Sequence, residues 1–171
     1  MRLRRPQVPG RRLSVWLAGI ISLLVAVLLR YGISPLPQHA LVRRVVDGDT
    51  IQLLDGRLVR YIGIDTPELR RREGSRWVMD PEPFARAATE ANARLVEGKT
   101  VRLEYDVQPR DRYGRLLAYV YVDERMVNAE LLKAGYAHLF TIPPDVRYAE
   151  EFRRLAAGAR REHRGLWAAE R

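Results

Sequence analysis

Asp47, Asp49, Asp65 and Glu68 place four carboxylates in a stretch whose other residues are mostly those of β-strands, and Arg60 lies among them. Asp47-Gly48-Asp49-Thr50 interrupts two strand-forming runs, 41–46 and 51–54, while Asp65-Thr66-Pro67-Glu68 closes a third, 57–64. Asp55-Gly56 between the second and third runs is a hairpin signal. A hairpin there folds Asp65 back toward Asp49, so acidic groups distant in sequence meet at one end of a sheet. Such a meeting needs a cation. Taken singly, each half is ordinary turn chemistry, since Asp bonds its own backbone, Gly accepts positive φ and Pro presets φ. Arg60 between them makes the combination more than two turns. In a regular strand Arg60 shares a face with Ile62 and Ile64. A guanidinium among apolar side chains needs an anionic partner, and either a carboxylate or a substrate phosphate suits its planar fork.

A further group lies downstream at Asp111-Arg112-Tyr113-Gly114-Arg115. Together with Asp47-Gly48-Asp49-Thr50, Arg60 and Asp65-Thr66-Pro67-Glu68, and in this order, it resembles the signature of the staphylococcal nuclease (thermonuclease) family. The likeness runs from about residue 41 to 167, and Gly165-Leu166-Trp167 resembles the family's C-terminal end. The resemblance implies calcium-dependent hydrolysis of phosphodiester bonds in DNA or RNA. It implies that Asp49 and Asp65 give carboxylate oxygens to the ion and Thr66 its backbone carbonyl, with Asp47 behind them or simply forming the turn. It makes Glu68 the general base, taking the proton of water or orienting it, with Arg60 and Arg115 gripping the phosphate. Arg112 and Tyr113 become substrate-contacting candidates, Tyr113 either beside the phosphate or covering the barrel mouth. An all-oxygen ligand set with no His or Cys nearby independently favours a hard cation over zinc. The family prototype has tyrosines in the stretch matched by 140–144 and a lysine at Arg112, so base stacking is where this chain departs. The alternative function is an OB-like module that holds nucleic acid without cutting it. A membrane-tethered scaffold that binds calcium only to order its loops is a third reading.

These residues need a frame. Five strand candidates, a helix at 84–96 after the third, and helices near 128–134 and 146–164 predict an α+β domain. The resemblance implies an OB-like, five-stranded Greek-key barrel with three helices. Phe84, Ala87, Ala88, Ala91 and Leu95 supply the first helix's apolar face, and Phe152, Leu155, Ala156 and Ala159 the last one's. Asn128 is the expected cap of the middle helix and Gly135 its stop. Residues 136–140 are expected to be extended. The stretch 70–80, with Arg70, Arg71, Arg72, Arg76 and Trp77, reads as a solvated loop or a substrate-facing one.

Before the domain, residues 13–29 form an uncharged, mostly apolar run preceded by Arg2, Arg4, Arg5, Arg11 and Arg12. That order predicts a basic cytoplasmic tail at 1–12, a transmembrane anchor at 13–30, a linker at 31–39, and a nuclease-like domain at 40–168 outside the cytoplasm. A cleaved signal peptide, giving a secreted protein, is the competing reading; a buried soluble helix is another. The net charge of +9 is concentrated in the tail. Six of thirty basic residues fall in the first thirty positions and no acidic residue precedes Asp47, leaving 24 basic against 21 acidic, or +3, for the rest. Nucleic-acid binding therefore has to be argued from the site. With no cysteine there are no disulfides or thiolate metal sites. A monomer is expected.

Overall fold

The structure is a computed structural model that describes residues 16–23 and 35–169. Residues 16–23 are helical (α1) with exposed side chains. The rest of the expected anchor at 13–30, and the basic tail, lie outside the described residues. Among the described residues no helix is long and apolar enough to cross a membrane. A second compact unit begins at Pro37.

That unit is built on β1 (His39–Asp47), β2 (Thr50–Leu53), β3 (Leu58–Tyr61), β7 (Thr100–Glu104) and β8 (Leu116–Val122). Their order is β3-β2-β1-β7-β8, and β3 also pairs with β8 in parallel, so the five strands close on themselves. The expected OB-like barrel is what forms. Its interior is filled by Val42, Ile51, Leu53, Val59, Leu103, Leu116 and Val120, all buried. The Asp55-Gly56 hairpin joins β2 to β3: Gly56 takes φ 90°, and the Asp55 carboxylate accepts the Arg57 N–H at 3.0 Å.

The expected strand over 57–64 does not run straight. It breaks at Ile62, and β4 (Gly63–Asp65) leaves the barrel to pair with β10 (His138–Phe140). Gly63 has φ 82° and lies against the Phe152 ring, which a Cβ there would meet at 2.6 Å. Backbone conformation and side-chain crowding thus both require glycine at the bend. The regular face shared by Arg60, Ile62 and Ile64 is lost with it. β5 (Arg70–Glu73) and β6 (Arg76–Met79) form a separate two-stranded hairpin where a loop was expected.

α2 (Ala85–Val96) buries Ala85, Ala88, Ala91, Asn92 and Val96. Phe84 precedes it and is exposed, so the apolar face is turned from the expected one toward Asn92 and Val96. α3 (Val127–Lys133) follows the short β9 (Arg125–Met126). Asn128 does not cap it. The cap position is Met126, without a side-chain bond, and Asn128 lies inside the helix, wholly buried. α4 (Ala149–Arg161) buries Phe152 and Ala159 as its spacing predicts.

Candidate active site

The Asp47–Thr50 turn between β1 and β2 is held from several sides. Asp47 accepts the backbone N–H of Asp49 at 3.2 Å. From α2, the Asn92 amide donates to the Asp47 carbonyl at 3.2 Å, while Tyr61 donates to Asn92 Oδ1 at 2.9 Å. Gly48 lies under Thr66, whose side chain a Cβ would meet at 2.5 Å. The two acidic turns therefore touch, and a side chain at position 48 would force them apart.

Asp49 is completely buried, and each of its oxygens has two donors. Oδ1 accepts from Arg60 Nη1 at 2.6 Å and from Thr50 Oγ1 at 3.0 Å. Oδ2 accepts from the backbone N–H of Thr66 at 2.9 Å and from its hydroxyl at 3.2 Å. The other arm of the Arg60 guanidinium donates to Asp65 Oδ1. Arg60 thus bridges the two carboxylates that the hairpin was expected to bring together, and supplies the cation they need. Of the two partners open to it from sequence, these contacts are with carboxylates.

Burial pushes the Asp49 carboxyl up to about 7, against the opposing pull of Arg60. Arg60 is itself held above its ordinary value: burial works against this, but Asp49 and then Asp65 outweigh it. Glu68 is also raised, chiefly by burial and then by the charge of Asp47. Its backbone is fixed by a reciprocal clamp, with Glu68 N–H donating to Glu82 Oε2 at 3.0 Å and Glu82 N–H donating to the Glu68 carbonyl at 2.9 Å.

The second arginine sits on the loop before β8. One oxygen of Asp111 accepts the backbone N–H groups of Tyr113 and Arg115 at 2.9 and 3.0 Å, and the other accepts Arg115 Nε at 2.6 Å. Burial works against the charged form of Asp111, but these bonds from Arg115 prevail and lower its carboxyl. Tyr113 is 70% exposed and has the Arg112 guanidinium 4.8 Å from its ring centre.

Arg60, Asp65, Glu68, Arg112, Tyr113 and Arg115 all line one cleft of about 560 Å³. Its apolar wall includes Leu117, Phe140, Ile142 and Pro143. The β4–β10 pairing brings part of that wall to the acidic strand by setting Phe140 beside Gly63 and His138 beside Asp65. Asp49 and Thr66 do not line the cleft; they lie buried and reach it through Arg60. Among the described residues no group of three or more His, Cys, Asp or Glu is poised to hold a metal. Oxygen donors of this kind suit a hard cation, and Asp65, half-exposed at the cleft, keeps acceptor capacity beyond its bond from Arg60, whereas both oxygens of Asp49 are engaged by four donors.

Three positioning residues carry no motif in the sequence. Asn92 and Glu82 read there as ordinary helix and loop positions. Asn128 bridges β8 to the strand break, accepting the Val120 N–H at 2.9 Å and donating to the Ile62 carbonyl at 2.9 Å. An amide on the core-facing side of a predicted helix was the available signal for both asparagines.

Residues 58–169 match the family described as Staphylococcal nuclease homologue. Thermonuclease of Staphylococcus intermedius is 37% identical over 130 residues, covering 74% of this chain and 74% of that protein. The SPbeta prophage-derived endonuclease YokF of Bacillus subtilis (strain 168) is 38% identical over 130 residues, 73% of this chain but 42% of the relative. A protein of Escherichia coli O157:H7 described as an uncharacterized endonuclease is 35% identical over 140 residues, 76% of this chain and 77% of that one.

Proposed function

The chain belongs to the staphylococcal nuclease homologue family, and from that premise we propose that its cleft hydrolyses nucleic-acid strands with the help of calcium. The family makes it a nuclease, a hydrolase acting on phosphodiester bonds. The observation that carries the finer reading is the meeting of Asp65, Glu68, Arg60 and Arg115 in one cleft.

Water attacks phosphorus, one P–O ester bond breaks, and the water's proton must leave. Glu68 is suited to receive it. A carboxylate raised above its usual value is a stronger base than an ordinary one, and the clamp to Glu82 fixes its backbone. Arg115 presents a planar cation to the phosphate oxygens as charge builds on them, and Asp111 sets the angle at which it does so. Arg60 stands at the inner end of the same cleft, between it and the acids. Arg112 and Tyr113 offer a charge and an aromatic face to the strand beside the scissile bond. Asp65 and the Thr66 carbonyl would hold the calcium, and Asp49 would join them by exchanging its bond from Arg60 for the ion. Bound there, it supplies a concentrated positive charge that polarises the phosphate.

We also infer that a single chain suffices, because every residue named comes from one unit, and that the apolar run at 13–29 tethers the domain outside the cytoplasm. The arginines before that run support this orientation. Extraction with alkaline carbonate checks the tether: release of the protein would refute it.

The deciding experiment is cleavage of labelled DNA and RNA strands by the full chain with calcium, repeated in excess chelator. Cleavage lost on chelation is the expected result. Unchanged turnover in chelator overturns calcium dependence, and binding without any cleavage favours the non-catalytic OB-like module.

A further inference from the structure

The β5–β6 hairpin has two unlike faces. Residues opposite each other in an antiparallel pair point to the same side, and the register sets Arg70 against Met79, Arg71 against Val78, Arg72 against Trp77, and Glu73 against Arg76. One face therefore carries Arg71, Glu73, Arg76 and Val78. Its charges are partly answered: Arg71 pairs with Asp80 at 2.7 Å and with Glu73 at 3.6 Å. The other face carries Arg70, Arg72, Trp77 and Met79, all exposed, with no acidic residue among them. Trp77 is 65% exposed, and Arg72 donates to the Gly74 carbonyl at 3.1 Å. An indole left two-thirds in water, opposite Arg72 and on the same face as Arg70, contributes little to the fold.

The hairpin is also tied to the site. It begins two residues after Glu68, and its base is closed by Asp80 N–H donating to the Leu69 carbonyl at 3.3 Å, next to the Glu68–Glu82 clamp. Each strand is four residues long, which at about 3.3 Å per residue gives a platform of ~13 Å. A stacked strand of nucleic acid advances about 3.4 Å per nucleotide, so roughly four nucleotides fit along it.

We propose that this face is an arm that holds single-stranded nucleic acid next to the scissile phosphate, with a base stacked on Trp77 and neighbouring phosphates held by Arg70 and Arg72. It rests on the nuclease reading for its occupant, and on charge complementarity and continuity with the cleft for its placement. Stacking on an exposed aromatic tolerates any base, so the arm adds affinity without sequence preference. It also selects for length: a strand too short to span cleft and arm gains nothing from it. The arm requires an unpaired base, because an indole cannot stack on one inside an intact duplex.

The test compares binding of the full chain to a fluorescent dinucleotide and a dodecanucleotide, by anisotropy, in excess chelator so that neither is cut. Trp77→Ala should weaken dodecanucleotide binding by about 5- to 100-fold, with a smaller loss for the dinucleotide. Trp77→Phe should recover most of the loss. Replacing Arg70 and Arg72 together by Gln should flatten the slope of log affinity against log salt by about 1.4, or roughly 0.7 per phosphate contact on a single strand. Equal losses at both lengths, or none, would overturn the arm. Protection of the hairpin from proteolysis by phosphatidylserine vesicles, lost in Trp77→Ala while dodecanucleotide binding stays intact, would assign the face to a membrane surface and overturn it as well. The two readings fail separately. Wild-type protein that cleaves strands while Trp77→Ala binds them normally sinks the arm alone. Length-dependent binding without cleavage sinks the nuclease reading and leaves the arm standing.

Discussion

Asp49 with Arg60 and Asp111 with Arg115 are the same two residue types in hydrogen-bond contact, yet their acids move in opposite directions. Burial raises Asp49 to about 7, and Arg60 does not offset it. Asp111 keeps some contact with water, and its bonds from Arg115 hold it below the ordinary carboxylate value. The first pair is expensive to the fold, because a charge taken wholly out of water loses more hydration than one partner returns. The second is mildly favourable. A protein does not need a costly buried pair to hold a barrel together.

Substitutions can drive the behaviour of the two pairs further apart or bring it together, and Glu68, which the cleft shares with both arginines, gives the largest effect. Glu68→Gln keeps shape and hydrogen bonding but removes the base, and single-turnover cleavage should fall about 10²- to 10⁴-fold. A rate within a few-fold of wild type would move the base elsewhere. Arg115→Ala should lower the rate by about 10²- to 10³-fold, in the range for one oxyanion-stabilising donor. Unlike Glu68→Gln, it should also weaken oligonucleotide binding, because it removes a contact to the phosphate.

Asp49→Asn acts on the buried pair directly. An acid whose value is raised on folding holds its proton to higher pH in the folded state than in the unfolded one. Wild-type stability in chelator should therefore decline as pH rises from about 4 to about 7, by a few kcal/mol at most, since each tenfold difference in proton affinity between the two states is worth about 1.4 kcal/mol. The variant should lack that decline and lose its cleavage activity, and at pH 8 it should be less stable than wild type, because the amide nitrogen cannot accept the two donors that one carboxylate oxygen takes and Arg60 loses an anionic partner. Urea unfolding across this range measures it; a variant as stable as wild type at pH 8 would mean that the buried pair contributes nothing to the fold. Asp111→Asn is the smallest change. An acid lowered on folding stabilises above its unfolded value and stops doing so as pH falls through its folded one, so the wild-type pair contributes fully above about pH 4. For this half-buried pair that contribution should be about 1–2 kcal/mol at neutral pH, and a loss of several more would make the two pairs alike.

Much of this architecture could be read from the chain because it is local. Asp55-Gly56 specifies its hairpin by backbone geometry alone, and the helical spacing of Phe152 and Ala159 survives intact in α4. The motif residues around the cleft were likewise legible as types and spacings. The strand break at Ile62 was not, because it depends on the Phe152 ring packed against Gly63, a contact between residues far apart in sequence. The β5–β6 pairing was hidden for a different reason: Arg-Arg-Arg-Glu carries no apolar alternation to mark a strand. Asn128 looked like a cap because asparagine favours caps, and only tertiary structure reveals that its amide is bonded to two distant backbone groups instead. The partner of Arg60 was left open for the same kind of reason, since a guanidinium suits carboxylate and phosphate equally well.

The parallel pairing of β3 with β8 also bears on how the molecule comes into being. It sets Arg60 beside Leu117, with Arg115 just before the strand, and contacts between such distant segments form late because the intervening chain must first lose its freedom. During synthesis, Asp49, Arg60 and Glu68 leave the ribosome well ahead of Arg115. Until the barrel closes, the nascent chain carries only part of the cleft that Arg60 and Arg115 line together.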